Sequence, residues 1–229
     1  MVLNHEMIDR LISDGKLKIQ NYDKTSLSPA SYDAHLGKKA FVSSEKAKID
    51  VEAKGNLLLQ AGDFAVVSTY ERFEFPLDLV GHIGIRSHYA RKGIIQLSGP
   101  QIDPGFCGVL VVGLFNSSPR DIIIPYKEPL LTIEFVRLIE PAKKGYCGPY
   151  QEQEDIPTAD MEWLVETKGM SFAQVITNLQ ALSMNVKSLS DSVVTFREDL
   201  KSFKTTVTVG LAILTLIVAA FGFLGYFLR

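Results

Sequence analysis

The sequence has few cysteines, and their scarcity excludes two classes of protein. Only Cys107 and Cys147 occur among 229 residues, so a disulfide framework cannot form. Neither cysteine belongs to a CxxC pair or lies near histidines at metal-ligand spacing, and we therefore predict no metal site. The zinc-dependent base deaminases, which need HxE and PCxxC signatures, are excluded on the same ground.

The sequence also lacks an excess of positive charge. It has 24 Lys and Arg against 26 Asp and Glu, a formal net charge of -2. Binding to DNA or RNA usually needs a basic face, so we expect no nucleic-acid polymer as partner. Single nucleotides need only a few local cations. Polar Asn4, His5 and Glu6 precede a short amphipathic stretch near the N-terminus, so we predict no secretory signal and expect the folded part in the cytoplasm.

The pattern along the chain predicts a mainly β domain followed by helices. Residues 7–17 have apolar side chains at helical spacing and predict one short helix, which Asp14-Gly15 stops. Between residue 38 and about residue 140, short runs of strand-forming residues alternate with Gly, Pro, Asn and Asp. This favours many short strands in a sandwich or barrel-like fold. Glycines and prolines in residues 141–160 predict an arm or linker.

The C-terminal part predicts a stalk and a membrane anchor. Within residues 161–204, apolar side chains recur at spacings of four and three, which is typical of a coiled coil and favours two strands at least as much as three. Residues 205–228 contain no charge and exceed the roughly 20 residues that span a bilayer. Basic residues before this segment favour a cytoplasmic head. The predicted stalk seam is Leu182, Val186, Leu189, Val193, Phe196, Leu200 and Phe203.

Four motifs follow one another in the first two thirds of the chain. They are SPASYDAHLG at 28–37, IRSHYARKG at 85–93, QIDPGFCG at 101–108 and VVGLFN at 111–116. In sequence and order they resemble the dCTP deaminase and dUTPase superfamily over roughly residues 7–155. The resemblance implies a distorted jelly-roll head, a dUTPase-like β-clip, within residues 1–140. It also implies a homotrimer with active sites between neighbouring subunits.

The resemblance gives Asp103 the catalytic role. In dUTPases the matching carboxylate orients and deprotonates the water that attacks the α-phosphorus, and a general base must lie within hydrogen-bond reach of that water. An Asp-Pro turn former is the structural alternative. Phe106 matches the aromatic residue that stacks on deoxyribose and rejects a 2′-hydroxyl; a core aromatic on a strand is its alternative.

The resemblance assigns the nucleotide-binding residues as well. Phosphate binding is expected at Arg86, Ser87 and Arg91, with Mg²⁺ brought by the triphosphate. Gln101 is expected to bind base or sugar, or to satisfy backbone groups of the 101–108 hairpin. The nucleotide-closing arm of the family is matched by Tyr146, Tyr150 and Gln151. Pro149 stands where a lysine is often found.

Gly113 distinguishes the possible reactions. True dCTP deaminases carry at this position the glutamate needed for proton transfer, and glycine has no side chain for that task. The sequence therefore favours hydrolysis of dUTP to dUMP and pyrophosphate. Two alternatives are deamination of dCTP through another proton carrier and a non-catalytic sensor or scaffold that binds deoxynucleoside triphosphates.

Overall fold

The computed structural model describes residues 1–45, 47–157 and 172–227, with side chains for 1–45, 47–157 and 175–218. Contacts divide the chain into a β-rich unit and a helical unit, with the boundary between Ile176 and Thr177. The predicted helical start near Met161 and the first part of the stalk, residues 161–171, lie outside the described residues.

The described head contains three short α-helices, one 3-10 turn at Lys24–Ser26 and twelve strands. The helices are α1 (His5–Ser13), α2 (Val51–Lys54) and α3 (Ser87–Ala90). The strands are β1 (Lys18–Gln20), β2 (Leu27–Ser28), β3 (Ser31–Val42), β4 (Ala47–Asp50), β5 (Asn56–Leu59), β6 (Phe64–Glu74), β7 (Leu79–Ile85), β8 (Ile94–Gln96), β9 (Gln101–Ile102), β10 (Cys107–Asn116), β11 (Ile122–Pro125) and β12 (Pro129–Arg137).

Helix α1 lies near the predicted position and starts two residues before the predicted Met7. It begins at His5 because Asn4 caps it, accepting a hydrogen bond from the Met7 N–H at 3.0 Å. It ends at Ser13 with Asp14 as its C-cap, so the predicted stop at Asp14-Gly15 is confirmed. Gly15, with φ of 69°, turns the chain toward β1. Ile8 and Leu11 are buried, as an amphipathic helix on a core requires.

Ten of the strands form one curled antiparallel sheet. Its strands follow the order β8-β10-β6-β3-β12-β7-β9, with β1, β2 and β4 attached at the sides. The first half of β3 pairs with β12 and the second half with β6, so β3 belongs to both faces. The corner includes Gly37, where an added Cβ would lie 2.4 Å from the Thr69 carbonyl oxygen. Only glycine permits this approach.

The mainly β prediction is confirmed, but the expected short strands are wrong in three cases. Strands β3, β6 and β10 have 12, 11 and 10 residues. A curled sheet needs long strands because each one continues around the corner. The sheet also begins before residue 38, since β1 and most of β3 precede it. Buried rings of Tyr32, Phe73, Phe75 and Phe135 pack along the core.

The second unit belongs to a single helix, α4 (Phe172–Phe227). Its 56 residues extend about 84 Å at 1.5 Å per residue. It is long and apolar enough to cross a membrane, over a stretch within Val175–Val218. The predicted stalk and anchor are continuous across residues 204 and 205, while residue 228 lies outside the described residues. The coiled coil stays a prediction.

Candidate functional site

The turn at residues 103–106 is built by its own sequence. The Phe106 N–H donates to the Asp103 carbonyl at 3.2 Å, and Gly105 has φ of 75°. Proline at the second position and a left-handed glycine at the third are typical of a type II turn. A Cβ on Gly105 would also lie 2.7 Å from the Gly145 Cα. The Asp-Pro-Gly sequence thus fixes where the Asp103 side chain emerges.

The strands on either side of this turn do not pair with each other. Gln101 in β9 lies opposite His82 in β7, whereas β10 pairs with β6 and β8. The predicted two-stranded hairpin at 101–108 is therefore wrong. Because β9 ends the path of the sheet and β10 lies next to its other end, the turn joins both ends of the curled sheet. The cleft between them forms a cavity.

The cavity has a volume of about 590 Å³. Most of its lining is apolar or aromatic, and Asp103 is the one carboxylate among the described lining residues. A pocket with an apolar wall and a few polar groups is typical of a small-molecule site. The lining comprises Phe64, Val66, Ile83, Leu97, Ser98, Gly99, Gln101, Ile102, Asp103, Phe106, Leu110, Val111, Gly113, Tyr146, Tyr150 and Gln153.

Asp103 faces this cavity with one oxygen engaged. Its Oδ1 accepts a hydrogen bond from the Gln101 Nε2 at 2.6 Å. Within the described chain, its Oδ2 has no hydrogen-bonding partner and the carboxylate has no ion pair. The Gln101 amide therefore orients the carboxylate and leaves one oxygen for a water or a ligand. The sequence predicted a ligand or backbone partner for Gln101, whereas the structure places its amide on Asp103.

Phe106 occupies the cavity wall and the core at the same time. Its side chain is 7% exposed, and its ring centroid lies 5.8 Å from that of Tyr146 at an interplanar angle of 60°. Tyr146 follows Gly145, and its N–H donates to the Pro104 carbonyl at 2.8 Å. The two rings are thus held by the turn itself, and both line the cavity. A stacking role toward a sugar stays a prediction.

Gly113 lies on β10 with its Cα toward the cavity. A Cβ added there would lie 3.3 Å from Phe64 Cε2 and 3.7 Å from Leu97 Cβ. The first distance is tighter than most contacts of real Cβ atoms, so a side chain at residue 113 would require the Phe64 ring to move by a few tenths of an ångström. Phe64 and Leu97 therefore occupy space beside Gly113 and make this wall apolar.

The arm after β12 is docked on the head. The Ala142 N–H donates to the Leu77 carbonyl at 2.8 Å, and the Val109 N–H donates to the Gln153 carbonyl at 2.9 Å. Ile156 is buried against Phe41 and Val66. Residues 141–157, which the sequence predicts as an arm or linker, thus form one side of the cavity, whereas 158–160 lie outside the described residues.

Gln151 and Tyr150 have different places in this arm. The Gln151 Oε1 accepts from the Cys107 N–H at 3.0 Å, and its Nε2 donates to the Gly105 carbonyl at 2.9 Å. Gln151 therefore fastens the arm to the turn and is not part of the cavity lining. Tyr150 lines the cavity and is 43% exposed. The nucleotide-binding roles of both residues stay predictions.

The predicted phosphate-binding residues lie around α3, outside the cavity lining. The Arg86 Nε pairs with the Asp33 Oδ2 at 2.9 Å, and the Arg91 Nε donates to the Ser87 carbonyl at 3.3 Å. Asp33 also accepts from the Thr132 hydroxyl at 2.8 Å. Among the described residues that line the cavity, none is Lys or Arg. Within a single chain, the Asp103 carboxylate therefore lies in the cavity lining, whereas the predicted phosphate-binding arginines lie outside it.

A buried polar cluster was not predicted from the sequence. Glu71 is fully buried, with Oε1 near the Tyr32 hydroxyl at 3.1 Å and the His35 Nδ1 beside the same oxygen. The Glu71 Oε2 accepts from the His35 N–H at 3.0 Å. The hydrogen bond with Glu71 raises the pKa of His35, although burial opposes it. Glu71 shares the inward register of Val67 and Phe73 in β6, a signal that alternation could have given.

Metal-ligating groups are not clustered in the part of the chain that the structure describes. No group of three or more His, Cys, Asp or Glu side chains there is placed to hold a metal ion. His82 lies opposite Gln101 in the sheet, and the His88 ring packs edge-on against Tyr89 at 5.0 Å. The cavity's chemistry therefore rests on Asp103, its amide partner and two tyrosines.

Comparisons with known proteins bear on the same part of the chain. A family model described as dCTP deaminase-like matches residues 2–138. A dCTP deaminase of Thermococcus gammatolerans is 42% identical over 136 residues, which are 59% of this chain and 85% of that protein. A dCTP deaminase of Pyrococcus abyssi is 38% identical, covering 62% of this chain and 92% of that protein.

A more distant relative and a solved structure are similar over comparable lengths. A dUMP-forming dCTP deaminase of Aquifex aeolicus is 26% identical, covering 68% of this chain and 92% of that protein. The crystal structure of 2′-deoxycytidine 5′-triphosphate deaminase from Agrobacterium tumefaciens is 23% identical with a TM-score of 0.49, covering 58% of this chain and 47% of that one. The family match ends at residue 138, so the arm and α4 lie beyond it.

Proposed function

Because the chain belongs to the dCTP deaminase-like family, we propose that it hydrolyses dUTP to dUMP and pyrophosphate while anchored to a membrane. The supporting observation is the pair of residues in the cavity wall. Asp103 offers a carboxylate oxygen without a partner among the described residues, whereas Gly113 offers no side chain. This combination can activate water but lacks the glutamate that cytosine deamination uses in the family.

In the proposed reaction, Asp103 accepts a proton from a water molecule. The water oxygen attacks the α-phosphorus, a new P–O bond forms there, and the bond from the α-phosphorus to the bridging oxygen breaks. Pyrophosphate leaves with the electron pair of that bond. The substrate is the Mg²⁺ complex of dUTP, whose metal ion shares the phosphate charge. Phe106 and Tyr146 form the apolar wall against which the sugar stacks.

The phosphates need cations that the described cavity lining does not contain. Arg86 and Arg91 lie around α3, and Asp33 holds the Arg86 guanidinium in place. In the proposed homotrimer, α3 of a neighbouring subunit brings these cations to the cavity that contains Asp103. Each site is then assembled from two chains, as oligomer symmetry permits.

Mixing two inactive variants tests this shared site. Asp103→Asn chains lack the base, and Arg86→Ala chains lack a phosphate contact. With random mixing in equal amounts, a site is intact with a probability of one half times one half, so about a quarter of wild-type activity should return. No return of activity, with both variants folded and assembled, would contradict a site shared between subunits.

The reaction itself is tested with the full-length protein in detergent micelles. The protein is incubated with Mg²⁺ and separately with dUTP, dCTP and dTTP, and the products are resolved by chromatography. We expect dUMP and pyrophosphate from dUTP in wild type and a rate lower by at least about 10²-fold in Asp103→Asn. Binding of dUTP by the variant, measured by calorimetry, is the control for an intact cavity. Full turnover by Asp103→Asn would show that Asp103 is not the general base.

Deamination of dCTP is the second candidate, since similar relatives are named dCTP deaminases. It would need a proton carrier other than residue 113. Release of ammonia from dCTP would support deamination. Because the wall at Phe64 and Gly113 is apolar, we expect no ammonia. Tight binding of a deoxynucleoside triphosphate without any product would instead support the sensor or scaffold.

The membrane anchor is part of the proposal because α4 is long and apolar enough to cross a membrane. Its apolar part follows Arg197, Lys201 and Lys204, and this asymmetry favours a cytoplasmic head. Residue Arg229 follows the apolar part, so orientation is measured by protease protection of the head in sealed vesicles. Digestion of the head from the cytoplasmic face is the expected result, and protection would reverse the orientation.

A further inference from the structure

The apolar seam of α4 continues past the last charged residue of the helix. The predicted stalk ends near residue 204, yet apolar residues keep the same spacing of four and three on both sides of that point. When Val186 is assigned to heptad position a and Leu189 to position d, every residue of the seam falls at a or d. The seam within the described side chains is Leu179, Leu182, Val186, Leu189, Val193, Phe196, Leu200, Phe203, Val207, Gly210, Leu214 and Ile217.

The apolar side chains of this seam are exposed. Their exposed fractions range from 43% at Val207 to 67% at Phe203. A stripe of this length on one face of a helix is typical of a surface that packs against another helix. In the uncharged part, Val209, Leu211, Ile213 and Leu216 are exposed on other faces as well, so apolar residues alone do not mark the seam there. The phase is carried by the four threonines at 205, 206, 208 and 215, which lie at positions b, f and g and never at a or d.

Charged residues at the edges of the seam favour a second copy of the same helix. Asp199 lies at position g and Lys204 at position e, five residues later. In a parallel coiled coil, g of one helix faces the following e of its neighbour, so these two side chains pair between copies. Within one helix, residues five apart do not share a face. Most other charged side chains of this part of α4 lie away from the seam, at positions b and f: Lys187, Asp191, Glu198 and Lys201.

The polar groups at the start of the uncharged segment are already satisfied within the helix. The Thr205 hydroxyl donates to the Lys201 carbonyl at 2.9 Å, and the Thr208 hydroxyl donates to the Lys204 carbonyl at 2.8 Å. Thr215 makes the same bond to Leu211. These groups therefore require no water in a bilayer. Gly210 lies in the seam, where a small residue lets two backbones approach closely.

We propose that α4 associates in parallel with further copies of this chain along one unbroken seam from Leu179 to Ile217. The seam covers 38 residue steps, about 57 Å, and passes from the charged into the uncharged part of the helix without a change of phase. The order is parallel because the uncharged segment lies at the same end of every copy. The membrane-embedded interface consists of Val207, Gly210, Leu214 and Ile217.

This proposal is independent of the nucleotide reaction. In a continuous bundle the charged and the uncharged parts of α4 associate together, whereas a stalk that ends at residue 204 would leave separate helices in the lipid. The apolar half of the seam distinguishes the two arrangements.

Single cysteines introduced into the full-length chain test the seam. Cys107 and Cys147 are replaced by serine, and one cysteine is placed at Leu200, Phe203, Gly210 or Leu214. The matched controls are cysteines at Thr205 and Ala212, which lie at position f, opposite the seam. Membranes containing each variant are oxidised, and disulfide-linked dimers are quantified on non-reducing gels. We expect at least several-fold more dimer at the four seam positions than at the two controls.

Each alternative has a distinct pattern. Phased cross-linking at 200 and 203 with equal yields at 210, 212 and 214 would overturn the continuous bundle and leave a stalk only. Equal yields at seam and control positions, or no dimer anywhere, would overturn self-association and favour lipid or another membrane protein as the occupant. If the serine background does not fold, the same comparison is made with both native cysteines present, since they are common to all variants.

A charge exchange provides a second readout. Asp199→Lys should reduce dimer formation through a cysteine at Phe203, and adding Lys204→Asp to the same chain should restore it. Failure of the double exchange to restore the dimer would remove the g-to-e contact from the proposal, and unchanged yields in every variant would contradict the parallel register.

Discussion

The His35–Glu71 pair provides the sharpest prediction for stability. Glu71 is fully buried and the His35 side chain is 11% exposed, so at a pH below about 6.5, where His35 is protonated, replacing His35 with glutamine leaves a buried carboxylate without its cation. Breaking a buried ion pair from one side typically costs about 3–5 kcal/mol. We expect the His35→Gln head to lose stability of that order, because the Tyr32 hydroxyl and the backbone N–H of residue 35 cannot neutralise the charge.

The assay is urea unfolding of a head fragment of residues 1–157, which contains all twelve strands described for the head. The control is His35→Gln combined with Glu71→Gln, in which two neutral amides replace the pair. We expect this double variant to recover part of the loss, since no charge is then buried. A loss below about 1 kcal/mol in the single variant, with unchanged m-value, would refute the reasoning.

The pH dependence of the same pair has a defined sign. The pKa of His35 is raised in the folded state, so its contribution to stability is fully present below its unfolded pKa of about 6.5. The contribution is lost as the pH rises through the higher folded pKa. The difference in unfolding free energy between wild type and His35→Gln should therefore shrink above that range. A difference that grows with pH would contradict the assigned cause.

Two further predictions concern the cavity and the cations. Phe106→Ala removes a nearly buried ring and should cost the head about 3–5 kcal/mol, and it should also reduce the preference for dUTP over UTP, measured as a ratio of kcat/KM. Phe106→Tyr is the control for the ring, and an unchanged ratio in Phe106→Ala would remove the ring from sugar selection. Asp33→Asn removes the partner of Arg86 and should raise KM for dUTP more than it lowers kcat. A fall in kcat alone would show that Asp33 acts on the reaction step and not through phosphate binding.

The β fold could be predicted from the sequence because its signals are local. Alternating strand-forming residues mark β6 and β10, and the Asp-Pro-Gly sequence marks the turn at 103–106. The pairing of β9 with β7 could not be predicted in the same way. That pairing depends on the curl of the whole sheet, which brings together strands that are far apart in the chain.

Part of the site could also be predicted, because its motifs are local in the sequence. Asp103 and Gly113 were found by motif, and the structure brings both to one cavity. The motif did not predict that Gln151 would fasten the arm to the turn, because that role depends on where the arm docks. Glu71 was missed because a charged residue in a strand is usually solvated, and only its partner His35 makes its burial possible.

The most direct test of the account is the reaction of the full-length protein in ¹⁸O-labelled water, with the nucleotide products examined by mass spectrometry. Attack by an Asp103-activated water on the α-phosphorus of dUTP predicts one label in the phosphate of dUMP and none in pyrophosphate. Asp103→Asn should lower the rate by about 10²- to 10⁴-fold. Label in pyrophosphate, or label in the base of a uracil product formed from dCTP, would contradict the proposed reaction.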